Sequence, residues 1–190
     1  MKKLVCSALL SLMVIGAAFG QANLTVTDAA GSSTITAKAG DTITLQVNVD
    51  AAAKNVQGVE CVLDTTTKSA GAPDLAGVVA SGTQVTANLG SIFTPGGAIP
   101  PLVLGNQVAA GQVKVVLAYL NTDKPGNGPG SLFSVPMTVP ATAPAGASWT
   151  VKLTGVSLNG DTDIPVATTG TATISIAGGT PPPPSGGGDG

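Results

Sequence analysis

The residues that could carry out chemistry are few in this chain. It has no histidine, and all eight of its cations are lysines. Without histidine there is no Ser-His-Asp triad, no Cys-His pair and no His-ligated metal site. Without arginine there is no bidentate phosphate clamp and no arginine finger. The inventory therefore points to a folded module that is not an enzyme.

Two pairs of carboxylates are close enough in sequence to be considered for glycoside hydrolysis, which needs them about 5 to 9.5 Å apart. Glu60 and Asp64 share one face of a predicted strand, where four residues place them about 13 Å apart. Asp161 and Asp163 would lie about 7 Å apart by the same rise. Because nothing apolar surrounds that Asn-Gly-Asp-Thr-Asp stretch to raise one pKa, we expect a solvated turn there. It could bind Ca²⁺ only weakly, since no EF-hand pattern is present.

The remaining reactive or ligand-binding patterns have structural interpretations. The glycine-rich stretch 126–130 near Lys124 lacks the Gly-Lys-Ser/Thr ending of a phosphate loop, so we predict a flexible loop. Cys61 alternates with Val59 and Leu63, which predicts a buried, unreactive thiol.

Binding of polysaccharide usually needs exposed aromatic rings, and the chain beyond its leader offers four aromatic residues. Trp149 follows a serine at the start of a strand, and we expect it in the core or at its rim. The others are Phe93, Tyr119 and Phe133. No planar aromatic platform is evident.

The first 22 residues have the organisation of a signal peptide. Two lysines precede an apolar stretch from Leu4 to Ala18, which is shorter than the roughly 20 residues of a membrane-spanning helix. Small residues allow cleavage after Gly20 or after Ala22. Cleavage would remove Cys6 and leave Cys61 alone, so no intrachain disulfide is expected. We therefore predict a secreted or cell-surface protein without a membrane span.

The elements that must position any site are predicted to be strands. Short runs rich in Val, Ile, Thr and Leu alternate with Gly, Pro, Asn and Asp, and no segment has helical periodicity. Residues 42–49 alternate strictly, and 56–64 and 112–120 are further strands. Residues 91–112 look like a loop with a short strand at 102–104, and one or two strands lie in 75–90.

Other strands are predicted at 24–27, 33–37, 131–139, 149–158, 164–167 and 171–177. Pro136 places its strand at an edge or a bulge, because proline cannot donate to a ladder. About nine strands without helices predict an all-β, antiparallel β-sandwich over residues 23–177. Residues 178–190 form a Pro/Gly-rich tail or linker. A pI near 4.7 and a net charge of −2 argue against nucleic acid.

Several of these strand motifs, in their order, resemble the cohesin family. A Gly-Asp turn enters the second strand, and a stripe of inward apolar residues ends in Asp on the next strand. A Gly-led strand follows the central strand, and a hairpin closes the domain. The matching segments are 39–49, 55–64, 113–119, 130–135 and 155–174.

The resemblance implies a jelly-roll sandwich of nine strands, related in fold to secreted carbohydrate-binding modules. Cohesins bind dockerin modules through one flat sheet face and so assemble polysaccharide-degrading enzymes on scaffolds. The positions that would face a dockerin, as the resemblance implies, are Glu60, Val62, Leu120 and Asn121, with Asp123 adding charge from a neighbouring loop.

The sequence thus favours a non-catalytic module that binds a dockerin-like protein in extracellular polysaccharide degradation. The same sandwich could instead bind polysaccharide directly. It could also be a structural or adhesive cell-surface protein that kept the fold without dockerin binding. No cofactor is expected.

Overall fold

The chain forms two β-sheets that pack against each other around one apolar core. A computed structural model describes residues 20–93, 101–119, 125–160 and 162–177. These residues contain no helix, and thus none able to cross a membrane. The predicted all-β sandwich is confirmed.

The strands within the described residues run from Ala22 to Ile176. Their bounds are β1 (Ala22–Thr27), β2 (Thr34–Ala37), β3 (Thr42–Val49), β4 (Gly58–Lys68), β5 (Ala76–Gly77), β6 (Val79–Ser81), β7 (Gln84–Val85), β8 (Asn88–Leu89), β9 (Leu102–Ala109), β10 (Gln112–Ala118), β11 (Gly130–Thr138), β12 (Ser148–Asn159), β13 (Val166–Thr169) and β14 (Ala172–Ile176).

The chain passes repeatedly from one sheet to the other. The first sheet, sheet A, has the order β13-β1-β3-β11-β5, with β8 also paired to β11. The second, sheet B, has the order β2-β14-β12-β4-β10-β9-β7-β6. Strands that are neighbours in a sheet are therefore often distant in sequence, and no hairpin connects such pairs. The strand pairs are antiparallel as predicted, except for two edge pairs, β1 with β13 and β14 with β2, which are parallel.

Strict alternation in the sequence corresponds to buried and exposed faces in the structure. In β3, which spans the predicted residues 42–49, Leu45 and Val47 are fully buried. In β4 the inward residues are Val59, Cys61 and Leu63, all with at most 1% exposure. The period of two thus predicts the core residues of the central strands correctly.

The segments that precede β10 differ from the prediction. Residues 102–109 form a full strand where the sequence predicts mostly loop, and residues 76–89 contain four strands of two or three residues. Gly105 in β9 interrupts the apolar alternation because the Val85 side chain packs against its backbone. A Cβ there would lie 2.6 Å from Val85 Cγ2. The division of residues 76–89 into short strands is one reason why the described residues contain fourteen strands where the sequence predicts about nine.

The predictions for Pro136 and Trp149 agree with the structure. The Pro136 carbonyl accepts a hydrogen bond from Val78 N, on the side of β11 where only the short strands β5 and β8 pair. The missing proline N–H therefore faces an interrupted edge. Trp149 is 1% exposed, and its Nε1 donates to the Pro73 carbonyl at 2.8 Å.

Candidate protein-binding face

Two of the predicted partner-facing residues lie side by side on the outer surface of sheet B. Glu60 and Val62 alternate with the buried residues of β4, so both side chains point away from the core. Glu60 is exposed and Val62 is half-buried. Both positions thus face outward, and their role in binding a partner stays a prediction.

The other predicted residues of the face, Leu120, Asn121 and Asp123, lie outside the described residues. The neighbouring strand β10 ends at Ala118, and Tyr119 after it is buried against Phe93, with ring centroids 5.2 Å apart. The Asp161 half of the predicted carboxylate pair also lies outside the described residues. The described partner, Asp163, is exposed, and its backbone bridges to Asn159.

An ion pair in the middle of the face joins β4 to β10. Lys114 Nζ on β10 lies 2.7 Å from Glu60 Oε1 on β4, and both side chains are partly exposed. Lys114 is directly opposite Val62 in the strand register, while Glu60 is opposite Val116, so the ion pair is diagonal. Diagonal neighbours of a sheet lie about 7–8 Å apart at the backbone, within reach of long side chains.

Apolar side chains surround this ion pair on the side of β9. Leu104 is directly opposite Val116, and Leu102 is opposite Ala118. The exposures of Leu102 and Leu104 are 47% and 40%, which is high for leucine. We call this surface the apolar stripe; its residues are Val62, Leu102, Leu104, Val116 and Ala118.

Sequence reasoning misses the β9 part of the apolar stripe. The sequence predicts only a short strand at residues 102–104 within a loop-like region, and Gly105 breaks the alternation after it, so the extension of β9 to Ala109 is missed. One signal could have found the strand: Ala110 and Gly111 separate it from β10, and a two-residue turn containing glycine is typical of a hairpin. Gly111 has a φ of 71°, a conformation that suits glycine.

Asp64, which lies on β4 beyond Val62, has hydrogen-bond partners of its own. Its Oδ1 accepts hydrogen bonds from Thr66 N and Oγ1, and its Oδ2 accepts one from Gln112 Nε2 at 3.0 Å. Burial raises the pKa of this carboxyl, but the hydrogen bonds from Thr66 and Gln112 and the charge of Lys152 outweigh that effect, so the net pKa is lowered. Asp64 is therefore a satisfied carboxylate, unsuited to act as a general acid.

The rest of the outer surface of sheet B carries hydroxyl groups. One row crosses four strands in register, from Thr34 through Thr173 and Thr150 to Thr67. Three of these side chains are exposed and Thr150 is half-buried. The apolar stripe is thus confined to β9, β10 and β4, and the hydroxyl row lies to one side of it.

The described residues hold no group of three or more His, Cys, Asp or Glu side chains that could bind a metal ion. Within the same ranges, every aromatic side chain is buried: Phe93, Tyr119, Phe133 and Trp149. What the described part of the face offers chemically is a partly apolar surface with one internal ion pair.

Solved structures with a similar fold include several cohesins. A non-cellulosomal cohesin from the archaeon Archaeoglobus fulgidus is 20% identical, with a TM-score of 0.55, over 83% of this chain and 92% of that chain. The sixth cohesin of scaffoldin B from Acetivibrio cellulolyticus, solved in complex with a dockerin, is 17% identical, with a TM-score of 0.59, over 83% and 99%.

A type II cohesin domain from the cellulosome of the same bacterium is 14% identical, with a TM-score of 0.59, over 82% of this chain and 95% of that chain. No protein-family model matches the chain. No curated protein matches it either. The chain therefore has the cohesin-like fold at low sequence identity.

Proposed function

We propose that this protein is an exported, non-catalytic module that binds a dockerin-type protein through the outer face of sheet B. The observation that carries the proposal is the apolar stripe on an otherwise polar surface of a cohesin-like sandwich. Exposed apolar patches rimmed by polar residues are typical of protein-binding sites. Several of the similar cohesins are described in complex with dockerins, which supports a partner of that kind. A role in extracellular polysaccharide degradation belongs to this proposal.

The outer face of sheet A is less suited to a partner. Its central strands carry polar outward residues, such as Gln46 and Asn48 on β3 and Ser134 on β11. The exposed large apolar residues of the described ranges are Val79, Leu102, Leu104 and Val108. Three of these four lie on β9 of sheet B.

Direct binding of polysaccharide is the alternative with less support. Flat sugar surfaces are usually bound by exposed aromatic side chains, and Trp149 and the other described aromatic residues are buried. The sequence contains no histidine, Glu60 is paired with Lys114, and Asp64 is hydrogen-bonded to Gln112. These observations likewise support a module without catalytic activity.

Export by the signal peptide is part of the proposal, and the fold favours one of the two cleavage sites. Ala22 is fully buried in β1, and its N–H donates to the Pro165 carbonyl at 2.9 Å. Cleavage after Ala22 would remove this residue, whereas cleavage after Gly20 keeps it. We expect the intact mass of the exported protein to begin at Gln21, and a mass that begins at Asn23 would contradict this choice.

Interferometry with immobilised full-length protein and a panel of purified dockerins, with and without Ca²⁺, tests the binding proposal. At least one dockerin should bind, and Val62→Arg should abolish that binding because it places a charge in the apolar stripe. Thr173→Arg is the matched control, since it adds the same side chain to the hydroxyl row of the same sheet. No binding across the panel, or binding unaffected by Val62→Arg, would overturn the proposal.

A further inference from the structure

We infer that the partner of this face presents an apolar surface to Leu102, Leu104 and Val116, and that their association depends little on salt. The inference rests on the proposed function and specifies the chemistry of the partner. In this inference the exposed leucines of β9, rather than the polar residues of β4, make the main contacts with the partner. Glu60 and Lys114 then contribute to the shape and neutrality of the face but do not anchor the partner.

The described charges of the face already have partners within it. Among the described residues, the outward positions of the face carry two acids, Glu60 and Asp64, and two cations, Lys114 and Lys152. Glu60 is paired with Lys114 at 2.7 Å, and Asp64 accepts three hydrogen bonds from Thr66 and Gln112. A charged partner would have to compete with the Glu60–Lys114 ion pair or with the hydrogen bonds that Asp64 and Lys152 make within the sheet, and such exchanges between exposed charges gain little. Charge complementarity thus favours a partner without a charged patch.

The apolar residues have no comparable internal partner. Leu104 and Val116 face each other across β9 and β10 with their Cβ atoms about 4.5–5.5 Å apart, and both remain accessible. Leu102 extends the patch along β9, and Val62 on β4 is a diagonal neighbour of Val116, since it lies opposite Lys114. Removal of such side chains from water is the main source of affinity at interface centres, where apolar anchors are surrounded by polar contacts.

Polar residues on the neighbouring strands limit the area that an apolar partner can contact. Towards β12 and β14, threonine and serine hydroxyls and the Lys152 side chain replace the apolar residues. Further along β9, Asn106 is opposite Lys114 and interrupts the apolar residues before Val108. A partner of matching chemistry therefore has a compact patch of Leu, Ile, Val or Met side chains with a polar, uncharged margin.

Binding of a dockerin from the panel, measured by interferometry, distinguishes this chemistry from a charged interface. Leu102→Ser combined with Leu104→Ser should weaken binding at least tenfold, while the unfolding midpoint of the variant confirms that it is folded. The matched control, Glu60→Gln with Lys114→Gln, removes the ion pair at similar volume and should change the Kd less than threefold. Raising NaCl from about 0.1 M to about 1 M shortens the Debye length from about 10 to about 3 Å and should leave the Kd within threefold.

A strong dependence on salt, or loss of binding in the Gln control, would overturn the inference and leave the proposed function intact. If no dockerin binds, binders are selected from a displayed library of randomised helical domains, with counter-selection on the double serine variant. Apolar binders that need Leu102 and Leu104 would support the inference although the proposed function fails. Charged binders, or none that need the stripe, would overturn it.

A second copy of this chain is the remaining alternative to a different protein as the partner of this face. Sedimentation of the full-length protein separates this case. A wild-type dimer that the double serine variant turns into a monomer would overturn the inference of a different partner. A wild-type monomer over the same concentrations agrees with it.

Discussion

At the scale of single residues, the pleat of β4 gives Glu60 and Cys61 opposite environments. Glu60 points to solvent and pairs with Lys114, whereas Cys61 is fully buried. Burial raises the pKa of the Cys61 thiol to about 12, and the neighbouring Glu60 charge adds to the shift. The thiolate is the reactive form of cysteine, so Cys61 is inert in the folded protein.

We expect Cys61 to resist alkylation at pH 8 until the protein unfolds. The experiment uses a Cys6→Ala variant, in which Cys61 is the only thiol. Iodoacetamide should add no mass under native conditions and one carbamidomethyl group in denaturant. Modification of the native protein at a rate close to that in denaturant would contradict the buried position.

Asn23 and Asp50 tie the ends of two strands together in sheet A. Asn23 Nδ2 donates to Asp50 Oδ2 at 2.6 Å, and Asn23 Oδ1 accepts a hydrogen bond from Thr168. The hydrogen bond from Asn23 lowers the pKa of Asp50 against a smaller opposing effect of burial. Because the folded pKa is depressed, the stabilisation is complete above the unfolded value of about 3.9 and is lost as the pH falls through the folded value.

Asn23→Ala should therefore lower the free energy of unfolding by about 1 kcal/mol at pH 7 and by less at pH 2.5. Asn48→Ala is the matched control, since the Asn48 amide donates to the neutral Thr27 hydroxyl and its loss should be similar at both pH values. Urea denaturation at the two pH values measures both effects. An Asn23 effect that is the same at pH 7 and pH 2.5 would show that the Asp50 charge is not involved.

At the scale of elements, the short strands before β9 hold that strand in place. Gly77 of β5 belongs to sheet A and Val85 of β7 to sheet B, and they meet where the two sheets come together. A Cβ on Gly77 would lie 2.7 Å from Val85 Cγ1, so only glycine fits without a shift. The Gln107 side chain of β9 accepts from Gly77 N and donates to the Ala109 carbonyl, which ties β9 to the same place.

Gly77→Ala should destabilise the protein by about 1–3 kcal/mol, because it overpacks a filled contact. Val85→Ala in that background should recover part of the loss, although the same substitution alone creates a cavity and destabilises. A double-mutant cycle by urea denaturation measures the coupling. Additive losses in the cycle would mean that Gly77 and Val85 do not compete for the same space.

The elements also show where sequence reasoning succeeds. Strand β3 alternates strictly and β4 carries Val59, Cys61 and Leu63 on one face, so the inward residues of both strands are predicted correctly because the period of two reports the buried face directly. Residues 76–89 and β9 were predicted poorly. There, strands of two or three residues and Gly105 are stabilised by tertiary contacts with Val85, and no local periodicity records such contacts.

At the scale of the whole molecule, the candidate face exists only because distant segments are paired. Glu60 and Val62 could be identified from the alternation of β4, but the contact between Leu104 and Val116 depends on the pairing of β9 with β10. Likewise, the ion pair between Glu60 and Lys114 depends on the register of β10 against β4. Register between strands is set by the common core and the turns, so it could not be deduced from the strands one at a time.

One core connects both sheets, and this predicts a single cooperative unfolding transition. Buried residues from sheet A, such as Phe133 and Leu45, belong to the same cluster as Trp149 and Leu63 of sheet B. Neither sheet has a separate core that could persist alone, and single domains of this size usually unfold in two states.

Trp149 is the only tryptophan of the chain, so its fluorescence reports the buried core beside Pro73. In urea, its red shift should coincide with the loss of the far-ultraviolet circular dichroism signal of the strands. Gly77→Ala should move both transitions to lower urea by the same amount, although the substitution lies in β5 of the other sheet and Trp149 in β12. Separate midpoints for the two signals, or a shift of only one of them, would mean that the sheets unfold independently and that the face on sheet B does not depend on sheet A for its stability.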